Sequence, residues 1–493
     1  MTPRGWAAAR VLGVLALAGG LVATSTQWPG VMQIGAAPAG TPPATMAPAP
    51  TPVSQALLGC PGAETEGISG LSAVPNEVVT VLAASAPEQA MQGISTAPGT
   101  ASVAVRAYPS DAALASSSLR GGLISGQLTG IAVAEVSAAG ALAAGVSAIQ
   151  IGLRRDGDER GLQSLACQVP RSEVWLLAGG GAPTRRERLV VGNAGANAVS
   201  VDVQVFGAAG PIASVNGSRI TVPPHGRIGL LVDALAPGEK APAVRVTASG
   251  GLVTALLEDS WIDGATGRGR DDVGPSDGPA TELVIPAVVL SGVGTLRIAV
   301  PGSDEAVVQS RLIAAAGASS LPADGVVRIA GGHVRDIDLS GVPAGAYAVQ
   351  VRSDHPVVAS VLIERRPAPT GPSDLAWLAA APVVPVLAGT PVPAGTTAQI
   401  VLVGTATPWA ASVFLVAADG QVSTQAASGD ADTSWAGTVP AGTASVWIRP
   451  ASGTVRAGLV AETSDDGGRL LTALSLEPIP LSSVSVPVRE VRR

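Results

Sequence analysis

Val199-Ser200-Val201-Asp202-Val203-Gln204-Val205 is a run in which valine alternates strictly with polar residues. Successive side chains of a β-strand point to opposite faces of a sheet, so this period of two predicts a strand with one buried and one solvated face. The run ends at Gly207, where a turn is expected. Less regular counterparts, each also followed by a glycine, occur at 307–313 and 412–416. The chain therefore repeats the same kind of strand.

A turn that leads into an alternating strand also recurs. The copy at 342–351, which opens with Val-Pro-Ala-Gly, returns 97 residues later at 439–448, and a shorter copy begins at Ala236. A unit of about one hundred residues with some seven short strands is typical of an immunoglobulin-like sandwich. The 61 glycines and 40 prolines would interrupt any helical period. We predict an all-β fold of tandem Ig-like or fibronectin-like β-sandwich modules.

A β-propeller is the alternative architecture, in which each unit would supply two blades of about 45 residues. Sandwiches are favoured because no period near 45 residues is visible in the sequence. The predicted organisation begins with a signal peptide or N-terminal anchor at 1–28 and a Pro/Ala/Thr-rich spacer at 29–56. A first β-module at 57–170 and a sandwich module at 171–265 follow, and then a Gly/Asp/Pro linker at 266–280. Two more sandwich modules at 281–367 and 368–480 and a C-terminal tail at 481–493 complete the chain.

The apolar stretch from Val11 to Ala23 follows Arg4 and Arg10 and predicts the compartment. It is short for a membrane-spanning helix, which needs about 20 residues, and suits the apolar region of a signal peptide. A cleaved signal and an uncleaved anchor both remain open. In either case the positive charges stay on the cytoplasmic side. The body is therefore expected to be extracytoplasmic, either secreted or anchored to the outer face of the cytoplasmic membrane.

Cys60 and Cys167 are the two cysteines of the chain. In an oxidising compartment an even pair is expected to form a disulfide, which here would close a loop across 107 residues.

The formal net charge of −7 argues against nucleic acid as a partner, because nucleic-acid binding needs a basic surface that displaces counterions. The short charged runs at 185–188 (Arg-Arg-Glu-Arg) and 365–366 (Arg-Arg) are expected to be solvated loop faces.

No motif in the sequence indicates a catalytic centre, a metal site or a cofactor, so the chain is not expected to be an enzyme. Asp271 and Asp272 fall in the predicted linker, where solvated acidity is favoured over loose Ca²⁺ binding. The other titratable candidates are expected to be ordinary turn or edge residues rather than the paired acids of a glycosidase: His225, His333, His355, Asp304-Glu305, Asp336 with Asp338, and Asp465-Asp466.

Tryptophans supply most of the aromatic mass of the body, and most of them are expected in cores between two sheets. Trp409 and Trp435 stand in turn-like contexts, after Thr407-Pro408 and Thr433-Ser434. If any pair is exposed as a stacking platform for a ligand, we expect it to be this one.

Several motifs resemble one known group of proteins. These are Ser172-Glu173-Val174-Trp175 after Cys167, the strand at 189–194, the Val-Pro-Pro at 222–224 and the stretch 353–359. Together they resemble an uncharacterised family of exported actinobacterial proteins, a domain of unknown function. The resemblance implies an exported protein of that lineage, and it implies no activity.

These observations favour an exported cell-envelope protein that acts as a non-catalytic scaffold or binding protein, with the modules arranged as a rod. Its partner would be an envelope protein or cell-wall glycan, and the N-terminal segment would hold it to the membrane if uncleaved. A cell-wall carbohydrate-binding protein is the alternative hypothesis, and a glycan-processing enzyme is less favoured.

Overall fold

The alternating run forms a strand whose valines face the inside of a two-layer module. Val199, Val201, Val203 and Val205 are buried, while the polar residues between them are exposed or half-buried. The computed structural model describes residues 50–62, 78–155, 159–180, 185–264, 266–321, 325–368 and 370–483. Thr51–Ser483 forms one compact unit. The predicted signal or anchor, most of the spacer and most of the tail lie outside the described residues.

The first module consists of two four-stranded antiparallel sheets. Its strands are β2 (Gln55–Cys60), β3 (Val79–Ser85), β4 (Ser102–Tyr108), β5 (Ala112–Ser117), β6 (Leu123–Leu128), β7 (Val133–Ala139), β8 (Val146–Arg154) and β9 (Gly161–Ala166), preceded by β1 (Thr51–Pro52). One sheet has the order β2-β7-β4-β5 and the other β6-β3-β8-β9. The short helix α1 (Glu88–Met91) and a 3₁₀ turn (Gly140–Leu142) complete it.

The second module has the same plan. Its strands are β10 (Glu173–Leu177), β11 (Arg185–Asn193), β12 (Val199–Gly207), β13 (Gly210–Ile212), β14 (Ile220–Val222), β15 (Gly226–Leu231), β16 (Ala243–Ser249), β17 (Thr254–Asp263) and β18 (Thr266–Val273). The order β10-β16-β12-β13, with β14 beside β12, makes one sheet, and β15-β11-β17-β18 makes the other. A 3₁₀ turn (Val215–Gly217) and the helix α2 (Val232–Leu235) lie in its connections.

Long strands run through both layers of the third and fourth modules. The third contains β19 (Ala280–Leu290), β20 (Gly294–Ala299), β21 (Ala306–Ala314), β22 (Gly317–Ser320), β23 (Val326–Ile329), β24 (Val334–Asp338), β25 (Gly345–Arg365) and β26 (Asp374–Ala379). The fourth contains β27 (Ala388–Pro391), β28 (Thr397–Ala417), β29 (Val422–Gly429), β30 (Thr433–Val439), β31 (Thr443–Asp465) and β32 (Gly468–Ser475). After it, β33 (Ser482–Ser483) pairs with β1.

One long strand of the third module and one of the fourth change layer part-way along their length. The first half of β25 pairs with β19 and β21, and its second half pairs with β20 and β26. The change falls at Asp354-His355-Pro356, where the strand continues instead of turning. The equivalent change in β31 falls near Gly453, which has a positive φ of 70°.

The predicted fold class is confirmed as successive two-layer β modules rather than pairs of single-sheet blades. The predicted disulfide is also present: Cys60 at the end of β2 is bonded to Cys167 just after β9, so it joins the two layers of the first module. None of the helices in the described ranges is long and apolar enough to cross a membrane.

The structure corrects several predicted boundaries. Residues 266–273 are not linker but β18, the last strand of the second module, and β26 belongs to the third module because it pairs with β25. Residues 266–280 have the composition of a linker, because charged residues and glycines are common in solvated segments. In the structure, however, residues 267–273 are buried. The folded unit also begins earlier than predicted, at Thr51, and the tail takes part in it through β33.

Each module ends in a strand that lies at the centre of the Thr51–Ser483 unit. These four strands, β9, β18, β26 and β32, are here named the inner strands. β9 packs against β18 and β32, and β26 packs against the same two, so the inner strands form a closed cycle. The expected rod of modules is therefore wrong. The inner strands are buried on nearly every residue and need covering on both sides, which an open row of modules would not supply.

Candidate functional site

Asp374 is the first residue of β26, where the inner strands meet, and its carboxylate joins all four modules. Its Oδ1 atom accepts the backbone N–H groups of Arg270 at 3.3 Å and Leu375 at 3.0 Å. Its Oδ2 atom accepts those of Leu162 at 3.3 Å and Leu471 at 2.8 Å. One side chain thus receives a hydrogen bond from each inner strand.

Two glycines allow the inner strands to approach this carboxylate. Gly269 has a φ of +126°, and a Cβ there would stand 2.6 Å from the backbone nitrogen of Leu375. A Cβ on Gly161 would lie 3.1 Å from backbone atoms of Arg270. A side chain at Gly269 would therefore force the strands apart and would also strain the backbone.

Burial dominates the electrostatics of this centre. It raises the pKa of Asp374 to about 8, although the N–H groups that donate to the carboxylate oppose the rise. Asp271 accepts the backbone N–H of Trp377 at 2.7 Å. Burial raises the pKa of Asp271 well above its usual value, and the carboxylates of Asp272, Asp374 and Asp259 add to the rise. Protons are therefore held at the centre to a higher pH than on a solvated carboxyl.

Trp377 connects this centre to a second buried charge group. Its Nε1 donates to Asp259 at 2.7 Å, and Asp259 also accepts two bonds from Arg185, at 2.7 and 2.5 Å. The guanidinium of Arg297 lies 5.0 Å from the centroid of the Trp377 ring. Burial, followed by the neighbouring Asp259, raises the pKa of Glu187 to about 7. Asp259 and Arg297 thus hold the indole of Trp377 in position from two sides.

Buried arginines tie the modules to one another. Arg160 of the first module binds Asp465 of the fourth at 2.7 Å and donates to the carbonyl of Ser373 in the third at 3.0 Å. Arg365 of the third binds Glu462 of the fourth at 2.7 Å. The expectation that 185–188 and 365–366 are solvated faces is therefore wrong for Arg185, Glu187, Arg188 and Arg365, which are largely buried. Their charges are compensated by partners from distant parts of the chain.

A pocket opens at the other end of the inner strands. Residues from all four modules line it, and the centres of water-sized molecules can occupy about 80 Å³ of it. The last residues of each inner strand, or those just after it, form its walls: Leu165, Ala166 and Cys167; Asp272, Gly274 and Pro275; Trp377 and Ala379; and Ala473 through Pro480. Trp377 links the pocket to the buried centre, because it borders both.

The predicted stacking pair does not form an exposed platform. Trp409 is only 2% exposed and belongs to the core of the fourth module, where its Nε1 atom lies 3.3 Å from Thr433 Oγ1. Trp435 is half-buried and packs against the same core. The expectation that Trp409 is exposed is therefore wrong, because strands of its own module cover the apparent turn after Pro408.

The other titratable candidates are not brought together. His225 stacks on Tyr108 with ring centroids 4.4 Å apart, His333 Nδ1 lies 2.8 Å from the carbonyl oxygen of Gly331, and His355 Nδ1 lies 3.2 Å from Asp354. Carboxylates from the three proposed pairs are bonded to separate arginines, namely Glu305 to Arg328, Asp336 to Arg297 and Asp465 to Arg160. Within the described residues no group of His, Cys, Asp and Glu could hold a metal ion.

Sequence reasoning missed Asp374 and gave Asp271 and Asp272 the wrong surroundings. A signal was present, because Ser373-Asp374-Leu375-Ala376-Trp377 stands about two repeat lengths after Ser172-Glu173-Val174-Trp175. The spacing indicates that the feature recurs in the modules. It does not predict that Asp374 lies where the four inner strands meet.

Comparisons with known proteins place the chain in a family. The model of a family of unknown function, DUF5719, matches residues 124–466, which is more than half of the chain. The chain belongs to this family. The match begins in β6 of the first module and ends just before β32, the last strand of the fourth. No curated protein matches the chain.

Two solved structures have only a faint likeness to this DUF5719 protein. One is an anti-sigma factor domain-containing protein from Clostridium clariflavum, at 8% identity and a TM-score of 0.12, covering 68% of this chain and 85% of that one. The other is a tetra-tandem repeat in the extending region of a large adhesion protein, at 13% identity and a TM-score of 0.10, covering 77% and 92%. Neither likeness is close enough to support an argument about function.

Proposed function

We propose that this protein is an exported, non-catalytic binding protein of the cell envelope, in which the four modules are a frame for one central pocket. The observation that carries the proposal is the pocket itself, because residues of every module line it. Concave, largely apolar sites enclosed by several structural units are the usual form of ligand sites.

Two further features support the proposal. The Cys60–Cys167 disulfide is compatible with an oxidising compartment outside the cytoplasm, and Cys167 forms part of the pocket wall. The buried ion pairs between modules fix the relative positions of the walls. A preformed site loses less freedom on binding than one that must be assembled.

The location is tested in the cells that encode the protein. Protease added to intact cells should digest an anchored protein, or the protein should be found in the medium if the signal is cleaved. Thiol alkylation without reductant should leave both cysteines unmodified. A reduced protein retained in the cytoplasm would contradict the proposal.

Binding is tested with the full chain on separated envelope fractions, namely lipid vesicles, cell-wall sacculi and envelope polysaccharide. We expect retention on one fraction, and loss of that retention in Ala379→Phe, which fills the pocket. Ala379 is 8% exposed and lines the pocket. The matched control is Ala316→Phe, on an exposed turn between β21 and β22. Retention that survives Ala379→Phe would refute the central pocket as the site.

A further inference from the structure

We infer that the central pocket takes an uncharged alkyl chain of about five to eight carbon atoms, or the corresponding end of a longer chain. The inference rests on the proposed function, since it names the class of ligand for the same pocket. The chemistry of the walls, the charges near them and the size of the space lead to it.

Most of the wall is apolar. Aliphatic residues, prolines, Cys167 and one tryptophan dominate it, chiefly Leu58, Leu165, Trp377, Leu476, Pro478 and Ile479. Apolar surface of this kind gains free energy from contact with apolar groups in proportion to the area removed from water.

The polar side chains of the wall are bonded to the protein itself. Ser147 Oγ donates to the carbonyl of Gly389 at 2.7 Å, and Ser475 Oγ donates to that of Ala379 at 2.5 Å. The hydroxyls of Ser164 and Thr472 bond each other at 2.7 Å. The amide of Gln168 makes two bonds with the backbone of Ala255. These groups are already engaged, so a sugar would lose hydrogen bonds to water without replacing them here.

The charges near the pocket disfavour an anionic ligand. Among the described residues that line it, the charged ones are Asp272 and Glu477, both acidic. Asp272 accepts the side-chain amides of Gln150 and Gln163, at 3.0 and 3.1 Å, and Glu477 is paired with Arg171 at 2.6 Å. A carboxylate or phosphate head group would find no cation among these lining residues to bind it.

The size of the space limits the chain length. A water-sized group needs about 10–15 Å³ of the kind of volume measured here, so about 80 Å³ holds roughly five to eight such groups. Methylene groups are of similar size. The pocket therefore accommodates a short alkyl segment.

The test measures the binding of n-alkanols of four to twelve carbons to the full-length protein by isothermal titration calorimetry. Each added methylene should tighten binding about fourfold until the pocket is full, after which the affinity should level off. n-Alkanoates and n-alkylamines of the same lengths are the charged comparisons. Both should bind more weakly than the alkanols, because Asp272 and Glu477 already have partners and a charged head group would lose its hydration in the pocket. Cell-wall oligosaccharides should not compete with the alkanols for the pocket.

The control variants assign the binding to the pocket. Ala379→Phe should weaken alkanol binding at least tenfold, and Ala316→Phe should leave it unchanged. If Ala379→Phe fails to fold, Ala166→Leu fills a half-exposed position of the same wall. Because the apolar N-terminal stretch of the chain is present in every variant, binding to it would be insensitive to these substitutions.

Each outcome has one meaning. Affinity independent of chain length, tighter binding of alkanoates, or unchanged binding in both filled variants would overturn the inference. If alkanols do not bind while Ala379→Phe still abolishes retention on an envelope fraction, the ligand class is wrong and the proposed function stands. If both tests fail, the pocket is not a binding site.

Discussion

Replacing Asp374 tests whether one carboxylate joins the four modules. Asp374→Ala removes the acceptor of three backbone N–H groups from the other modules, those of Leu162, Arg270 and Leu471. A buried donor left without a partner costs about 1–3 kcal/mol, so the substitution should destabilise the protein by roughly 3–9 kcal/mol. That is a large part of the stability of most folded proteins, about 5–15 kcal/mol.

The isosteric Asp374→Asn separates shape from hydrogen bonding. An amide of the same size keeps one acceptor oxygen but turns an NH₂ group toward two of the donors. We expect a loss between that of Asp374→Ala and the wild type, about 2–6 kcal/mol. Simple filling of space would instead leave Asp374→Asn close to the wild type.

Urea unfolding at pH 9, above the pKa of about 8 of Asp374 so that the carboxylate is ionised, followed by circular dichroism, measures both variants. The matched control is Asp354→Ala, which removes an exposed carboxylate that accepts one backbone N–H, that of Val307 at 2.8 Å. Water can replace that acceptor, so the control should change the midpoint little. The reasoning is refuted if Asp374→Ala unfolds at the same urea concentration as Asp354→Ala.

Three further outcomes are expected. Gly269→Ala should destabilise the protein by at least about 2 kcal/mol, as measured by urea unfolding. The control Gly238→Ala, also at positive φ but with nothing within 4 Å of a Cβ, should cost about 1 kcal/mol. Equal losses in the two variants would contradict the close approach of the inner strands. Replacing either disulfide cysteine by serine should lower the stability by about 2–5 kcal/mol in the same assay, and an unchanged midpoint would show that the bond does not form. The pKa values of Glu187 and Asp374 are raised to about 7 and about 8, so the folded state keeps protons that the unfolded chain releases near pH 4. Their contribution to stability is therefore greatest below about pH 4 and falls as the pH rises to about 8. Glu187→Gln should flatten the profile of melting temperature against pH between pH 5 and 8, and a slope identical to that of the wild type would contradict the raised pKa of Glu187.

The local pattern of the sequence predicted the sheets well, because strand periodicity depends on near neighbours. The valines of 199–205 alternate with polar residues, and the structure buries them. The pairing of Cys60 with Cys167 followed from the number of cysteines and the expected compartment. These inferences needed no knowledge of how the modules pack.

The centre could not be predicted because its stability depends on residues far apart in the chain. Strand 266–273 has the composition of a linker, and its charges are tolerated inside only because partners such as Glu258 and Gln163 surround them. Trp409 likewise follows a Thr-Pro pair that suggests a turn, yet its own module covers it. The composition of a segment predicts how it behaves when it is surrounded by water. Here the surrounding strands and modules exclude water from the segment.

The most direct test of the closed arrangement is small-angle X-ray scattering of the Thr51–Ser483 unit. A compact body of this length should have a radius of gyration of about 22 Å. Four modules placed end to end would give a value of about 40 Å, because each alone has a radius of gyration of about 13 Å. The first value would support inner strands that close around Asp374 and the pocket, and the second would contradict them.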